Sequence, residues 1–400
     1  MERIILHSDL NNFYASVECL YHPELRHGIV LAKNQLAKGC GIKTGEVLWQ
    51  ARQKCPELVL VPPSYERYLS YSAMAKEIYQ EYTDQVESFG LDECWLDVTG
   101  STALFGGGCT LADRIRERIR RELGVTASVG VSFNKVFAKL GSDLRKPDAT
   151  TAISPRDFRE KIWPLPVQTL LYVGRATQNK LQRYGIRTIG ELARADRGML
   201  QFALGKNGLM LWAFANGLDT SPVSNIGAKS LIKSIGNSTT TPRDLLSDGE
   251  VRITLLVLSE SVAARMREHQ FRCRTVQLSV RSSDLTAYER QEKLLRPTCT
   301  AQEVFEAAFR LYKRHHDGSP IRSLGVRACD LLLEDALQMS FLPELRRAER
   351  LETLERTMDQ LRARFGHFSI QRGIMLTDRQ LSNLNPKDDH VIHPEGFLTK

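Results

Sequence analysis

The sequence predicts an α+β fold in more than one domain, and three observations predict it. The chain has 400 residues, too many for one hydrophobic core, so two to four domains are expected. From Arg3 to Pro147 strand-like and helix-like stretches follow one another as strand, helix, strand pair, helix, strand, helix, which suits a small antiparallel sheet carrying helices. Hydrophobic residues make up 42% and well-mixed charged residues 26%, the composition of a folded soluble chain and not of a disordered one.

Arg3 to Ser8 reads as a short buried strand with Asp9 at its end, and Asn12 to Leu20 as the start of a helix. Val86 to Val98 fits two short strands joined at a tight turn, with Asp92–Glu93 inside an apolar stretch. Leu111, Ile115, Ile119 and Leu123 recur every fourth residue, the stripe of an amphipathic helix that Gly124 can cap. Val125 to Ser132 alternates like a strand, and Lys135 to Leu144 reads as a helix ended near Pro147. Residues 154–222 are helix-like, with turns at Val173–Gly174 and Tyr184–Gly185, and the polar stretch from Thr220 to Ser234 reads as a linker. Beyond it, strands (Thr275 to Arg281; Ser323 to Leu333) alternate with helices (Arg252 to Glu268; Ala301 to His315). Leu351, Leu354, Met358, Leu361 and Phe365 mark an amphipathic helix ending at Gly366, and the last twenty residues read as a loosely held polar tail.

A formal charge of +8 favours a polyanionic partner, although many ordinary enzymes share that balance. No run of eighteen apolar residues and no secretory signal is present, so a cytoplasmic protein without a membrane span is expected. Eight cysteines at 19, 40, 55, 94, 109, 273, 299 and 329 form no CxxC pair, which points to reduced thiols and not to zinc or a disulfide framework.

Chemistry enters with the acids. A carboxylate at the end of a buried strand (Asp9) or inside an apolar segment (Asp92, Glu93) is costly unless it is paired or holds a metal. Hard divalent cations take such oxygens together with substrate phosphates, and two of them about 4 Å apart can clamp both oxygens of a phosphoryl displacement. Phe13–Tyr14 follow Asp9 by one helical turn, where a ring can lie against the sugar of a bound nucleotide, although core packing is the simpler role for such a pair. Lys135, Lys139 and Lys146 are placed on nearly one helical face, either solvated or turned to phosphate. Arg272, Arg274, Arg281, Arg322 and Arg327 flank or interrupt apolar strands, with Arg272 and Arg274 on one face by alternation, and a basic sheet face suits contacts to a duplex backbone.

Together these residues resemble the Y-family, or lesion-bypass, DNA polymerases. The family's opening motif stands as His7–Ser8–Asp9–Leu10–Asn11–Asn12–Phe13–Tyr14–Ala15–Ser16–Val17–Glu18, its second as Gly90–Leu91–Asp92–Glu93–Cys94–Trp95–Leu96–Asp97, and its third runs from Val129 to Lys139, completed by Lys146–Pro147. Order and spacing are those of the family, and the similarity continues to about residue 335. The resemblance implies a right-hand architecture: a palm of 1–18 and 65–153, fingers of 19–64, a helical thumb of 154–222, a linker at 223–234, an α/β little finger of 235–335, and a C-terminal segment of 336–400. It implies template-directed DNA synthesis past damaged bases by two-metal phosphoryl transfer. Magnesium is the expected ion, with manganese able to substitute.

Carried over by position, Asp9, Asp92 and Glu93 are catalytic, and they hold metal with the Leu10 carbonyl. Asn12, Phe13, Tyr14, Lys38 and Lys146 bind nucleotide, Tyr14 being the steric gate against a ribose 2′-hydroxyl. Arg272, Arg274, Arg322 and Arg327 contact DNA. Gln338–Met339–Ser340–Phe341–Leu342 resembles the glutamine-led peptide that docks polymerases on a sliding clamp. Expected partners are primer–template DNA, deoxynucleoside triphosphates and that clamp, with the chain itself a monomer. Departures are plain: Asn11 stands where a second acid is frequent, Gly90–Leu91 replaces Ser-Ile, and Gln35 and Lys38 stand where a Tyr and an Arg usually touch the triphosphate. Between Pro23 and Gly28 relatives carry a longer stretch with an extra strand. Two other functions fit part of the pattern, a nucleotide cyclase built on a similar palm and a DNA-binding polymerase relative that has lost catalysis.

Overall fold

The computed structural model describes residues 3–25, 34–43, 45–228, 232–333 and 343–387. The chain divides near residue 230 into two compact units, taken here one at a time.

The first unit is built on a five-stranded sheet of order β2-β3-β1-β4-β5. Its central strand β1 (Ile5–Leu10) is buried along its whole length. It pairs antiparallel with β3 (Glu93–Asp97) and β4 (Ala127–Ser132), while β2 (Val86–Ser88) and the parallel β5 (Thr150–Ala152) close the edges. Alternation along β1 sends Leu6, Ser8 and Leu10 to one face and Ile5, His7 and Asp9 to the other. On the first face lie α1 (Phe13–Tyr21), α4 (Tyr65–Gln80) and α6 (Gly108–Arg118), whose Phe13, Tyr68, Tyr79, Leu111 and Ile115 join Leu6 and Leu10 in one core. On the second face lies α7 (Lys135–Leu144), started by Asn134, whose side chain accepts from the Phe137 amide. Backbone approach sets how close α7 comes. A Cβ at Gly130 of β4 would lie 1.9 Å from the Ala138 carbonyl oxygen, so only glycine fits there.

Short helices α2 (Gln35–Gly39) and α3 (Leu48–Lys54) share a small cluster of their own, Ala37, Ile42, Ala51, Cys55 and Leu58. α5 (Thr102–Phe105) is a single turn. After β5 come α8 (Phe158–Ile162), α9 (Arg175–Arg183), α10 (Ile189–Arg194), α11 (Arg197–Leu204) and α12 (Lys206–Ala215), packed around Ile162, Leu181, Ile189, Leu200 and Leu211. The sequence names no helix over 65–80, because α4 is rich in tyrosine and polar residues and has no clean apolar stripe.

The second unit has a four-stranded antiparallel sheet of order β6-β9-β7-β8: β6 (Ser234–Leu245), β7 (Phe271–Ser282), β8 (Ala287–Thr298) and β9 (Ile321–Leu333). α13 (Asp248–Glu268) and α14 (Ala301–His315) cover one face through Leu255, Leu258, Val304 and Leu311 against Val276, Leu278, Leu324 and Val326. The two edge strands, β6 and β8, are the ones the sequence does not announce. An edge strand needs no continuous apolar face, and β6 carries Gly236 and Pro242 while β8 is highly charged. The expected C-terminal helix is α15 (Pro343–Phe365), followed by α16 (Arg379–Ser382). The expected loose tail needs correction over 381–387. Leu381 is buried in the second core, and Asn237 donates to the Pro386 carbonyl at 3.0 Å.

Candidate active site

The acids are brought together by strand register. Asp9 lies opposite Glu93, and the Leu10 amide donates to the Asp92 carbonyl at 2.9 Å, tying the end of β1 to the turn before β3. Asp9 faces α7 because of its parity, and two lysines meet it there. Lys146 Nζ is 2.6 Å from Asp9 Oδ2 and 2.8 Å from Asp143 Oδ1. Lys139 Nζ is 2.8 Å from Glu93 Oε2 and 3.4 Å from Asp9 Oδ2 and from Asp143 Oδ2. Four carboxylates, counting Asp92, then face two ammonium groups, a surplus of two negative charges.

That surplus shows in the protonation of the site. Burial first, then repulsion from Glu93 and Asp9, pushes the Asp92 carboxyl up to about 6. Burial and Glu93 likewise raise Asp9, and Lys146 only partly offsets them. Burial works against the charged form of Lys139, but Glu93, Asp143 and Asp9 outweigh it and lift the ammonium to about 12. Beneath the cluster, buried His7 is held neutral by burial and by Lys139. Ser142 Oγ donates to the Lys139 carbonyl at 2.8 Å and shares a 2.8 Å hydrogen bond with His7 Nδ1, while His7 Nε2 lies 3.3 Å from Glu93 Oε2.

Does a metal fit? Among the described residues no three His, Cys, Asp or Glu side chains form a ready-made cage. The donors are nonetheless hard carboxylate oxygens, over-anionic for the cations around them, and crowded enough to raise one another's pKa. That is the charge balance a divalent cation relieves, so Asp9, Asp92 and Glu93 suit such an ion.

The neighbouring positions divide. Asn11, the departure from the acidic pattern, turns toward β4: its Nδ2 donates to Thr126 Oγ1 at 3.1 Å and its Oδ1 accepts from Ser128 Oγ at 2.9 Å. Asn12 takes a left-handed conformation (φ 49°), and its buried Oδ1 has no hydrogen-bond partner among the described residues. Phe13 is buried, whereas Tyr14 is partly exposed, and its hydroxyl is raised by burial and then by Asp92. Lys135 does not join the lysine face. Its Nζ pairs with Glu87 at 2.7 Å and lies 4.5 Å over the Trp95 ring, because these partners stand beside the first turn of α7. Lys38 lies on the exposed side of α2, whose cluster is separate from the sheet core.

Three comparisons bear on this geometry. Residues 8–143 match the impB/mucB/samB family, residues 232–341 match its C-terminal domain, and residues 170–219 match the thumb domain of DNA polymerase iota. The chain is 52% identical over 399 residues to the DNA polymerase IV of Acetivibrio thermocellus, covering 96% of this chain and 100% of that one. The chain belongs to the Y-family of DNA polymerases. A DNA polymerase IV 2 of Bacillus subtilis is 38% identical over 396 residues, covering 94% and 95%. A solved Y-family DNA polymerase chimera superposes with a TM-score of 0.72 over 82% of this chain and 99% of that chain, a likeness of fold at 22% identity.

In this Y-family chain the expected DNA-contacting arginines do not form one group. Arg274 and Arg327 are exposed. Arg272 instead donates both its Nη2 bonds to Glu352 of α15, at 2.9 and 2.7 Å. Arg322 donates to the Thr241 carbonyl at 3.0 Å and lies 3.7 Å from Asp244. These three partners are distant in sequence, so alternation along one strand cannot reveal them. The uncovered sheet face holds a groove lined by Gly236, Ser238, Ser279, Arg281, Gly325 and Arg327. The small residues that open this groove signal nothing in a linear reading. The expected clamp peptide, Gln338 to Leu342, lies outside the described residues, as do residues 26–28 of the stretch between Pro23 and Gly28 where relatives are longer.

Proposed function

We propose that this DNA-directed DNA polymerase extends a primer 3′ end across damaged template bases, with the cluster at the end of β1 as its reaction centre. The observation that carries the reading is the acidic surplus around Asp9, Asp92 and Glu93, set within hydrogen-bonding reach of Lys139 and Lys146. Those acids, with the Leu10 carbonyl, would hold two magnesium ions, or manganese in their place. Such ions supply charge neutralisation at the attacking and leaving oxygens. Lys146, the more exposed lysine, is free to exchange Asp9 for a triphosphate oxygen, while Lys139 stays between Glu93 and Asp143 and holds the acids in place. Tyr14 would face the nucleotide sugar, with the buried Phe13 packed beside it. Lys38 and Asn12 are assigned to the nucleotide by position.

The same reading makes 1–18 with 65–153 the palm, 19–64 the fingers, 154–222 the thumb and 235–335 the little finger. Primer–template DNA would lie on the open sheet face of the second unit. Arg274 and Arg327 are the contacts best placed for it, and Arg272 and Arg322 would have to leave their present partners to add to them. No helix among the described residues is long and apolar enough to cross a membrane. A monomer working in the cytoplasm and tethered to a sliding clamp through Gln338–Leu342 completes the reading. Deleting those five residues should abolish retention on immobilised clamp, and retention equal to the parent's would remove that part. The whole is tested by primer extension with deoxynucleotides on undamaged and abasic templates. Failure to extend either template would overturn it.

A further inference from the structure

Discrimination by an aromatic gate is repulsive, so it depends on how firmly the ring is held from behind. A ring with free space behind it would swing or sink by a few tenths of an ångström and relieve the clash. What stands behind Tyr14 is therefore part of the selectivity of the site.

On its inner side Tyr14 meets Tyr68 of α4. The ring centroids are 4.8 Å apart at 70°, an edge-on contact, and Tyr68 is only 2% exposed. Tyr68 is itself locked. Its hydroxyl donates to Glu18 Oε1 at 2.6 Å, and the other oxygen of Glu18 accepts from Arg67 at 3.0 Å. Glu18 is buried with a charged and a phenolic donor on α4, and Arg67 lies 4.2 Å over the Tyr21 ring. Two further rings close the sides, Tyr65 at 5.6 Å and Phe13 at 6.1 Å from Tyr68. The Glu18–Tyr68 bond thus fixes α1 to α4 one turn beyond Tyr14.

We propose that Tyr68 is a positioning residue for sugar selection, the backing ring that stops Tyr14 from yielding to a ribose 2′-hydroxyl. This rests on the reading of Tyr14 as the gate. Among the described residues Tyr68 pairs with none of Asp9, Asp92 and Glu93, and it acts through the Tyr14 ring. Its side chain can therefore change the choice between ribose and deoxyribose without changing the reacting groups.

The test is single-nucleotide insertion on one primer–template, comparing dNTP with rNTP for the parent, Tyr14→Ala, Tyr68→Leu, Tyr68→Phe and the Tyr14→Ala/Tyr68→Leu double variant. The ratio of the two kcat/KM values does not depend on the fraction of protein folded, so a merely structural loss leaves it unmoved. Tyr68→Leu, which opens space behind the gate, should lower dNTP preference by about tenfold, a loss of about 1.4 kcal/mol of repulsion. Tyr68→Phe keeps the ring and loses the Glu18 anchor, and should lower preference by about threefold. The double variant should show the ratio of Tyr14→Ala alone. A parental ratio in folded Tyr68→Leu, or a further tenfold loss in the double variant, overturns the backing role. Should Tyr68→Leu fail to fold, Tyr68→Phe decides, and an unchanged ratio overturns the proposal. A parental ratio in Tyr14→Ala is a different failure, because it removes the gate itself.

Discussion

Replacing Lys139 with methionine removes one charge from the acidic cluster while nearly preserving shape. In the parent that ammonium is within 3.4 Å of Asp9, Glu93 and Asp143, and its side chain is 15% exposed. Taking one partner from a buried ion pair costs about 3–5 kcal/mol. The lower end, about 3 kcal/mol, applies here because Asp143 is half exposed and Lys146 still faces Asp9. The loss should depend on pH with a definite sign. Asp92 is raised in the folded protein to about 6 from an ordinary value near 3.8. It therefore favours folding at low pH and loses that contribution as pH rises from about 4 through about 6. In Lys139→Met the acids gain protons more readily still, so the penalty should be full at pH 8 and largely gone at pH 4. Magnesium should reverse it, because an ion bound only by the folded state adds about 2.7 kcal/mol at a hundredfold excess over its Kd. The assay is thermal unfolding of parent and variant at pH 4 and pH 8, with and without magnesium. Equal Tm losses at both pH values, or no greater magnesium stabilisation in the variant than in the parent, would refute the charge balance described for the site.

Other outcomes follow from the same geometry. Gly130→Ala places a methyl group against the Ala138 carbonyl, so α7 must move away from the sheet; a stability loss of about 1–3 kcal/mol and a larger proportional loss of primer extension are expected, read by unfolding and by gel. Tyr14→Ala should raise ribonucleotide insertion by about tenfold or more, whereas Phe13→Ala, which empties a buried position, should lower overall rate through lost packing. Arg274→Ala with Arg327→Ala should weaken DNA binding and reduce the slope of log K against log salt by about 2, measured by fluorescence anisotropy. Arg272→Ala should instead lower Tm, because it leaves Glu352 without its bidentate partner.

The acidic cluster was legible in the sequence because its acids stand at strand ends, where burial of a carboxylate needs a reason, and because strand register then makes Asp9 and Glu93 neighbours. The lysines were legible as a group but not as individuals. Helical spacing places Lys135 with Lys139, yet Glu87 and Trp95 capture it, and only the three-dimensional neighbourhood says so. The arginines of the second unit separate for the same reason, since Glu352, Thr241 and Asp244 are contributed by other elements. Edge strands β6 and β8 lack the apolar run that marks a buried strand. Tyr68 carried no signal at all, because its role comes from what it touches.

The most direct test of the reaction centre is the Asp92→Asn variant, measured for primer extension and for primer–template affinity on the same preparation. Removing one carboxylate from an over-anionic cluster should leave the fold and the sheet of the second unit intact while taking away the oxygen ligand proposed for charge neutralisation. Extension should then be abolished with DNA affinity nearly unchanged. Robust extension by Asp92→Asn would contradict the assignment of the site.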